Sequence, residues 1–152
     1  MSAYTDALKL LSRRELTTSE LRERLLRKQV PPEDVDEALR RLSSEGTLND
    51  RRAAVAIART HALVKARGRL RIERELRARG VSAETTRAAL DEVFRDLSEP
   101  ELLERALRKR LRSGRIHTEA EFRRLYQYLL RLGFPADAVL TMLKKHSHLE
   151  ME

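Results

Sequence analysis

Apolar residues recur along the chain with the spacing of amphipathic helices. Leu21 and Leu25 share one helix face, and Ile72 and Leu76 repeat that face later in the chain. No stretch shows the sustained alternation of apolar and polar residues that is typical of a strand. We therefore expect an all-α protein with helices near residues 3–13, 18–29, 32–45, 50–66, 69–79, 82–97, 99–113, 119–132 and 135–147.

The helical pattern occurs three times. Leu21 aligns with Ile72 and with Leu125, at offsets of 51 and 53 residues. A fixed period of this size is typical of repeat proteins, in which small neighbouring units share their packing. The pattern predicts a tandem, elongated and curved array of three helix-turn-helix-like repeats, each with three helices, at residues 1–49, 50–98 and 99–152.

Residues that begin and end helices stand at the predicted boundaries. Capping boxes are predicted at Thr17, Ser98 and Thr118, each followed three residues later by Glu. Asp50 and Ser82 are predicted to cap their own helices. All five glycines fall between the periodic segments, where a left-handed cap or a turn is needed.

Cysteine content and hydropathy exclude several classes of protein. The chain of 152 residues has no Cys, so it can form neither a disulfide nor a thiolate metal site. No apolar run approaches the roughly 18 residues of a membrane helix, and the N-terminus lacks the pattern of a signal peptide. No long heptad seam is present. We expect a cytoplasmic monomer without membrane contact.

The net charge of +8 is concentrated in the middle of the chain. Residues 1–50 carry −1, residues 51–98 carry +6 and residues 99–152 carry +3. Most of the excess positive charge lies on the second helix of the middle repeat, on the first helix of the last repeat and in the turns that adjoin these helices. We call these residues the basic surface and predict that they contact a partner or DNA: Lys65, Arg67, Arg69, Arg71, Arg74, Arg77, Arg79, Arg108, Lys109, Arg112 and Arg115.

The basic surface has two interpretations. Arg is a good helix former, so a solvated face explains any single member. The local excess favours an anion-binding surface, because a guanidinium can grip two oxygens of a phosphate or carboxylate. Proteins that read DNA bases commonly use the side-chain amides of Asn and Gln. This sequence has only three such residues, Gln29, Asn49 and Gln127, which disfavours sequence-specific DNA recognition. Non-specific contact with DNA phosphates stays open and would weaken with salt.

The sequence contains no recognisable catalytic or metal-binding motif. His61, His117, His146 and His148 include no pair at the spacing of a helical metal site. A glycine-rich phosphate loop and a nucleophile elbow are also absent from the sequence. Tyr126 and Tyr128 could stack on bases, but Tyr126 fits a helical core face with Phe122 and Leu129 better. We expect no catalysis, no metal and no cofactor.

Three segments, in this order and at the repeat spacing, resemble the RecX family of regulatory proteins, which modulate the bacterial RecA recombinase. The segments are ALKLLSRRELTTSELRERLLRKQV at residues 7–30, EGTLNDRRAA at residues 45–54 and RGRLRIERELRARGV at residues 67–81. The resemblance covers nearly the whole chain. The sequence departs from the family pattern at Thr47, Ala53 and Arg67, where the family usually has aromatic residues.

The resemblance implies three-helix repeats that lie along the groove of the RecA–DNA filament and inhibit ATP hydrolysis and strand exchange by RecA. It implies no catalysis by the chain itself. Leu48, Asp50 and Arg52 match the family's junction motif between repeats. We expect Asp50 and Arg52 to fix the first repeat against the second. Two rival hypotheses are a non-specific DNA-binding helical-repeat protein that acts without RecA and an adaptor for some other protein.

Overall fold

The computed structural model describes residues 2–111 and 113–147. Within these residues it contains nine α-helices and no strand, apart from one isolated bridge between Ile116 and Ser147. The helices are α1 (Ala3–Arg13), α2 (Thr18–Arg27), α3 (Pro32–Ser44), α4 (Asp50–Leu63), α5 (Arg69–Ala78), α6 (Ala83–Asp96), α7 (Glu99–Arg110), α8 (Glu119–Arg131) and α9 (Ala136–Lys145). The all-α prediction is confirmed.

The predicted helices are all present, but several end earlier than expected. The prediction extended α2 to residue 29 and α4 to residue 66. Gln29 has a φ of 66° and Ala66 a φ of 54°, so both take the left-handed conformation that terminates a helix. Neither residue is Gly, the usual signal for this conformation, which is why the sequence placed these ends too late.

Most of the predicted capping residues hold the helix starts, with two corrections. Ser98 and Thr118 cap α7 and α8 through their hydroxyls, but among the described residues only Thr17 has the reciprocal glutamate contact of a capping box. Thr17 forms a full capping box with Glu20, and the Ser82 hydroxyl accepts a hydrogen bond from an amide in the first turn of α6. Asp50 does not cap α4, however. The Asn49 side chain does so, because its Oδ1 accepts from the Arg52 amide at 3.0 Å. The Asp50 carboxylate is thereby left available for a contact elsewhere.

The chain forms two compact units. The first takes in the described residues up to Ile57 together with Glu75–Ala89. Its helices α1, α2 and α3 pack pairwise around a core of buried apolar side chains. Each fully buried Leu contributes roughly 1.5–3 kcal/mol to folding. The core residues are Ala7, Leu10, Leu16, Leu21, Leu25, Val35, Leu39, Leu42 and Leu48.

The second unit takes in Ala58–Arg74 and the described residues from Leu90 onward. Its helices α7, α8 and α9 also pack pairwise, and Leu107, Leu129 and Phe134 are among its buried side chains. Helices α4, α5 and α6 each contribute residues to both units. The repeat bounds 1–49, 50–98 and 99–152, and the elongated, curved array, stay predictions.

Candidate functional site

The residues of the basic surface differ in how far they are exposed. Arg67, Arg69, Arg71 and Arg79 are half-buried. Arg112 lies outside the described residues. The remaining members are exposed, namely Lys65, Arg74, Arg77, Arg108, Lys109 and Arg115. Exposure makes a cation accessible but does not exclude an internal ion pair, so the contacts of each side chain decide which residues can serve as a binding surface.

Arg69 is held by contacts within the second unit. Its guanidinium donates to Asp91 Oδ1 at 2.6 Å and lies over the ring of Phe94, 5.8 Å from the ring centroid. Its backbone amide, at the start of α5, donates to Glu99 Oε2 at 3.0 Å. These contacts join α5, α6 and the start of α7 within this unit. An external anion that binds Arg69 would compete with Asp91 for the guanidinium.

Arg79 is likewise held inside the first unit. Glu20 accepts from Arg79 Nε at 3.1 Å through one oxygen and from the Thr17 amide at 3.0 Å through the other. The buried Thr17 hydroxyl donates to the Arg79 carbonyl at 2.8 Å. Burial acts to raise the pKa of Glu20, but the Thr17 amide and the Arg79 charge outweigh it and lower the pKa below its ordinary value. The start of α2 is therefore fastened to the end of α5.

Arg71 lies at a close backbone contact in the second unit. The Gly68 amide donates to the Leu132 carbonyl at 2.7 Å, and the Leu70 amide donates to the Gly133 carbonyl at 3.2 Å. A Cβ on Gly68 would lie 2.5 Å from the Gly133 oxygen. The two glycines thus allow the start of α5 to meet the turn after α8 with no side chain between them. Arg71 donates to the Arg131 carbonyl at 3.2 Å across this contact.

Arg74 and Arg77 are the exposed arginines of α5. They lie three positions apart on the helix and therefore on neighbouring parts of one face. Neither side chain has an ion-pair partner among the residues that the structure describes. Their guanidinium groups can therefore bind an external anion at no cost in internal contacts.

The cations at the end of α7 are also accessible. Arg108 pairs with Glu104 at 2.8 Å, one turn earlier on the helix and largely in solvent. A pair of this kind stabilises a helix by only about 0.3–0.5 kcal/mol, so a stronger acceptor can displace it. Lys109 and Arg115 are exposed, with no ion pair in the part of the chain that the structure describes.

The junction motif has a structural role inside the first unit. Asp50 Oδ1 accepts from the backbone amide of Thr18 at 2.7 Å and from its hydroxyl at 2.9 Å, so Asp50 satisfies a free amide in the first turn of α2 rather than capping its own helix. Arg52 donates to Glu15 Oε1 at 3.0 Å and to two carbonyl oxygens of the preceding turn. Leu48 is buried in the core. These contacts join the start of α4 to α2 and to the segment before it.

A group of arginines on α8 was not singled out from the sequence. Arg110, at the end of α7, lies over the Tyr128 ring at 4.3 Å from its centroid. Both residues line a groove of about 420 Å³ together with Arg123, Arg124 and Arg131. On α8 these cations are interspersed with apolar residues of the core face, so no run of basic residues indicated them. Only the folded arrangement brings them to one groove.

No arrangement of acidic and histidine side chains in residues 2–111 and 113–147 is suited to holding a metal ion. His148 lies outside these residues. His61 is buried and shares a hydrogen bond with the Arg67 side chain, while the His146 ring contacts the Met142 carbonyl. None of the helices in this part of the chain combines the length and the apolar character needed to cross a bilayer.

Two family models match the chain. Residues 3–42 match the model described as RecX, first three-helix domain, and residues 49–90 match RecX, second three-helix domain. The third predicted repeat lies outside both matches and stays a prediction.

Curated relatives and solved structures agree with these matches. The regulatory protein RecX of Pelodictyon phaeoclathratiforme is 34% identical, over 93% of this chain and 87% of the relative. That of Halorhodospira halophila is 38% identical, over 88% of this chain and 81% of the relative. The crystal structure of RecX from Lactobacillus salivarius has the same fold, with a TM-score of 0.77 at 23% identity over 94% of this chain and 93% of that one. The chain belongs to the RecX family of regulatory proteins.

Proposed function

We propose that this protein binds the RecA–DNA filament and inhibits RecA, and that it thereby modulates DNA repair and recombination. Family membership supports a regulatory role, because the curated relatives are named regulatory proteins rather than enzymes. The observation that carries the proposal is the exposed pair Arg74 and Arg77, which lies within the segment matched to the second RecX domain. We propose further that the protein acts as a monomer in the cytoplasm, without catalysis, metal or cofactor.

The α5 pair is suited to a nucleoprotein partner. A filament of protein on DNA presents phosphates, and each guanidinium can hold two phosphate oxygens at once. Because Arg74 and Arg77 have no internal acceptor to lose, their charge is available to such a partner. Arg69 and Arg79 instead stabilise the fold around α5, and so hold the helix that carries the exposed pair.

The other exposed cations of the basic surface add to the charge of the α5 pair. We propose that Lys65, Arg108, Lys109 and Arg115 add long-range attraction for the filament, which would raise the rate of association and would be screened by salt. Inhibition follows if the bound protein obstructs movement within the filament or weakens contacts between its subunits. No chemical step by this chain is needed for either effect.

The test is RecA's ATPase on single-stranded DNA, with the purified protein titrated in. We expect inhibition by the wild-type protein. The double variant Arg74→Glu/Arg77→Glu should need about tenfold more protein for the same effect, since each lost exposed contact is worth up to about 1 kcal/mol and tenfold corresponds to about 1.4 kcal/mol. A matched double variant, Arg13→Glu/Arg14→Glu, makes the same charge change at exposed positions outside the basic surface and should inhibit like the wild type.

Circular dichroism of both double variants establishes that they are folded. If the two variants inhibit equally, the α5 pair is not the contact. Tight binding to bare duplex DNA without any effect on RecA would instead favour the alternative function, a non-specific DNA-binding protein that acts without RecA. The exposed arginines are compatible with that alternative, and its binding would fall steeply with salt.

A further inference from the structure

The groove on the second unit differs from the basic surface in position and composition. It is bounded by the end of α7 and one face of α8 and has a volume of about 420 Å³, which is within the range of ligand-binding pockets. We call it the arginine groove. Its polar and aromatic lining is Arg110, Glu121, Arg123, Arg124, Gln127, Tyr128 and Arg131.

The groove carries a strong excess of positive charge. Four arginines line it, against one acidic residue, Glu121. The Glu121 carboxylate accepts a hydrogen bond from the His117 amide at 3.1 Å, next to the N-terminus of α8, so part of its charge is already engaged there. The side chains of Arg123, Arg124 and Arg131 have no ion pair among the described residues. The groove therefore lacks an internal partner for most of its charge.

The arginines are arranged along a line rather than around a point. Arg124, Gln127 and Arg131 follow one another on one face of α8, about one helical turn or 5.4 Å apart. At the side of the groove, the Arg110 guanidinium lies over the Tyr128 ring, 4.3 Å from the ring centroid, in a cation–π contact. A row of donors with one flat aromatic wall suits a ligand that carries anions at regular intervals.

We propose that the arginine groove binds the sugar–phosphate backbone of a nucleic-acid strand. Arg124 and Arg131 would each grip a phosphate through two oxygens, and the Gln127 amide would donate to the backbone between them. The Tyr128 and Arg110 stack would lie against the sugar or base beside them. An acidic peptide supplies carboxylates on side chains of variable reach, which match such a row less well. The inference does not depend on any action on RecA.

Fluorescence anisotropy with a short fluorescein-labelled oligothymidylate, measured in the absence of RecA, tests the groove. Relative to the wild type, Arg124→Gln/Arg131→Gln should weaken binding about tenfold. It should also reduce the slope of log affinity against log salt by about 0.7 for each lost phosphate contact, or about 1.4 in all. Arg124→Lys/Arg131→Lys, which keeps the charge but not the planar fork, should recover most of the slope and only part of the affinity.

The control is Arg59→Gln/Arg87→Gln, which removes two exposed charges that do not line the groove and should leave the slope within about 0.7 of the wild type. The proposal is overturned if the groove variant binds with the wild-type affinity and slope, or if a polyglutamate peptide binds as tightly as the oligonucleotide. A groove variant that loses oligonucleotide binding but still inhibits RecA would support nucleic-acid binding by the groove. It would also show that this binding is distinct from inhibition through the α5 pair. If the wild type binds the oligonucleotide but does not inhibit RecA, the proposed function is wrong and the proposal for the groove still stands.

Discussion

Substituting Gly68 by Ala tests the close backbone contact at the start of α5. Gly68 does not have a positive φ, so an added methyl group meets only its neighbours and no left-handed strain. Those neighbours are backbone atoms, at 2.5 Å for the Gly133 oxygen, 2.6 Å for its carbonyl carbon and 2.7 Å for the Phe134 nitrogen. Side-chain rotation cannot relieve such overlaps, so the start of α5 must move away from the turn after α8.

The magnitude follows from what this movement breaks. Overpacking at a buried site costs about 1–3 kcal/mol. The separation also weakens two backbone hydrogen bonds, from the Gly68 amide to Leu132 and from the Leu70 amide to Gly133, each worth about 0.5–1.5 kcal/mol. We expect Gly68→Ala to lower the free energy of unfolding by about 3 kcal/mol. For a chain of this size the corresponding decrease in Tm is about 10 °C.

The assay is urea unfolding followed by far-ultraviolet circular dichroism. Gly46→Ala is the matched control, because Gly46 has a φ of 80° but no atom within 4 Å of the added methyl group. It should therefore cost only the strain of a left-handed Ala, about 1 kcal/mol. If Gly68→Ala proves as stable as Gly46→Ala, or more stable, the contact between Gly68 and Gly133 does not exist as described.

Two further predictions concern the side chains of Thr86, which is buried, and Glu20, which is half-buried. The Thr86 hydroxyl is buried without a hydrogen-bond partner in the described part of the chain, and the residues aligned with it in the other two predicted repeats are Val35 and Val139. Thr86→Val should therefore raise the free energy of unfolding, measured in urea, by about 1 kcal/mol. A decrease would mean that the hydroxyl has a partner. The pKa of Glu20 is lower in the folded protein than the ordinary pKa of 4.5. The ionised carboxylate therefore stabilises the fold fully above pH 4.5, and this stabilisation is lost as the pH falls through the lowered pKa. Glu20→Gln should therefore be less stable than the wild type in urea at pH 7, with a difference that narrows toward pH 3; a difference that stays constant with pH would contradict this role.

The helices could be predicted from the sequence because local signals agree there. Apolar spacing marks the buried faces, and hydroxyl caps such as Thr17 and Ser82 mark the starts. The ends were less accurate where a residue other than Gly turned the chain, as at Gln29 and Ala66. A left-handed Gln or Ala has no sequence signal of its own, because the surrounding packing imposes the conformation.

The capping prediction failed at Asp50 for a related reason. Asn49 and Asp50 are adjacent, and both residue types favour N-cap positions. The residue that caps α4 is the one whose side-chain oxygen is not already engaged by a donor elsewhere in the fold. The Asp50 carboxylate is engaged in this way, because it accepts from the amide of Thr18, 32 residues away in sequence. Sequence spacing alone cannot anticipate a partner that only the tertiary fold brings close.

The candidate sites show the same division between local and tertiary signals. The run of basic residues on α5 was visible in the sequence, but the internal partners Asp91 and Glu20 that engage Arg69 and Arg79 were not. The arginine groove was missed altogether, because the charges of α8 are interspersed with core positions and meet Arg110 only after folding.

The most direct test of a filament regulator is to measure binding to the filament itself. Fluorescently labelled protein is titrated with RecA assembled on single-stranded DNA, with RecA alone and with the same DNA alone. We predict binding to the assembled filament over the concentration range that inhibits the ATPase, and we predict that Arg74→Glu/Arg77→Glu weakens binding and inhibition by the same factor. Equal affinity for the filament and for bare DNA, or inhibition without detectable filament binding, would contradict the proposal.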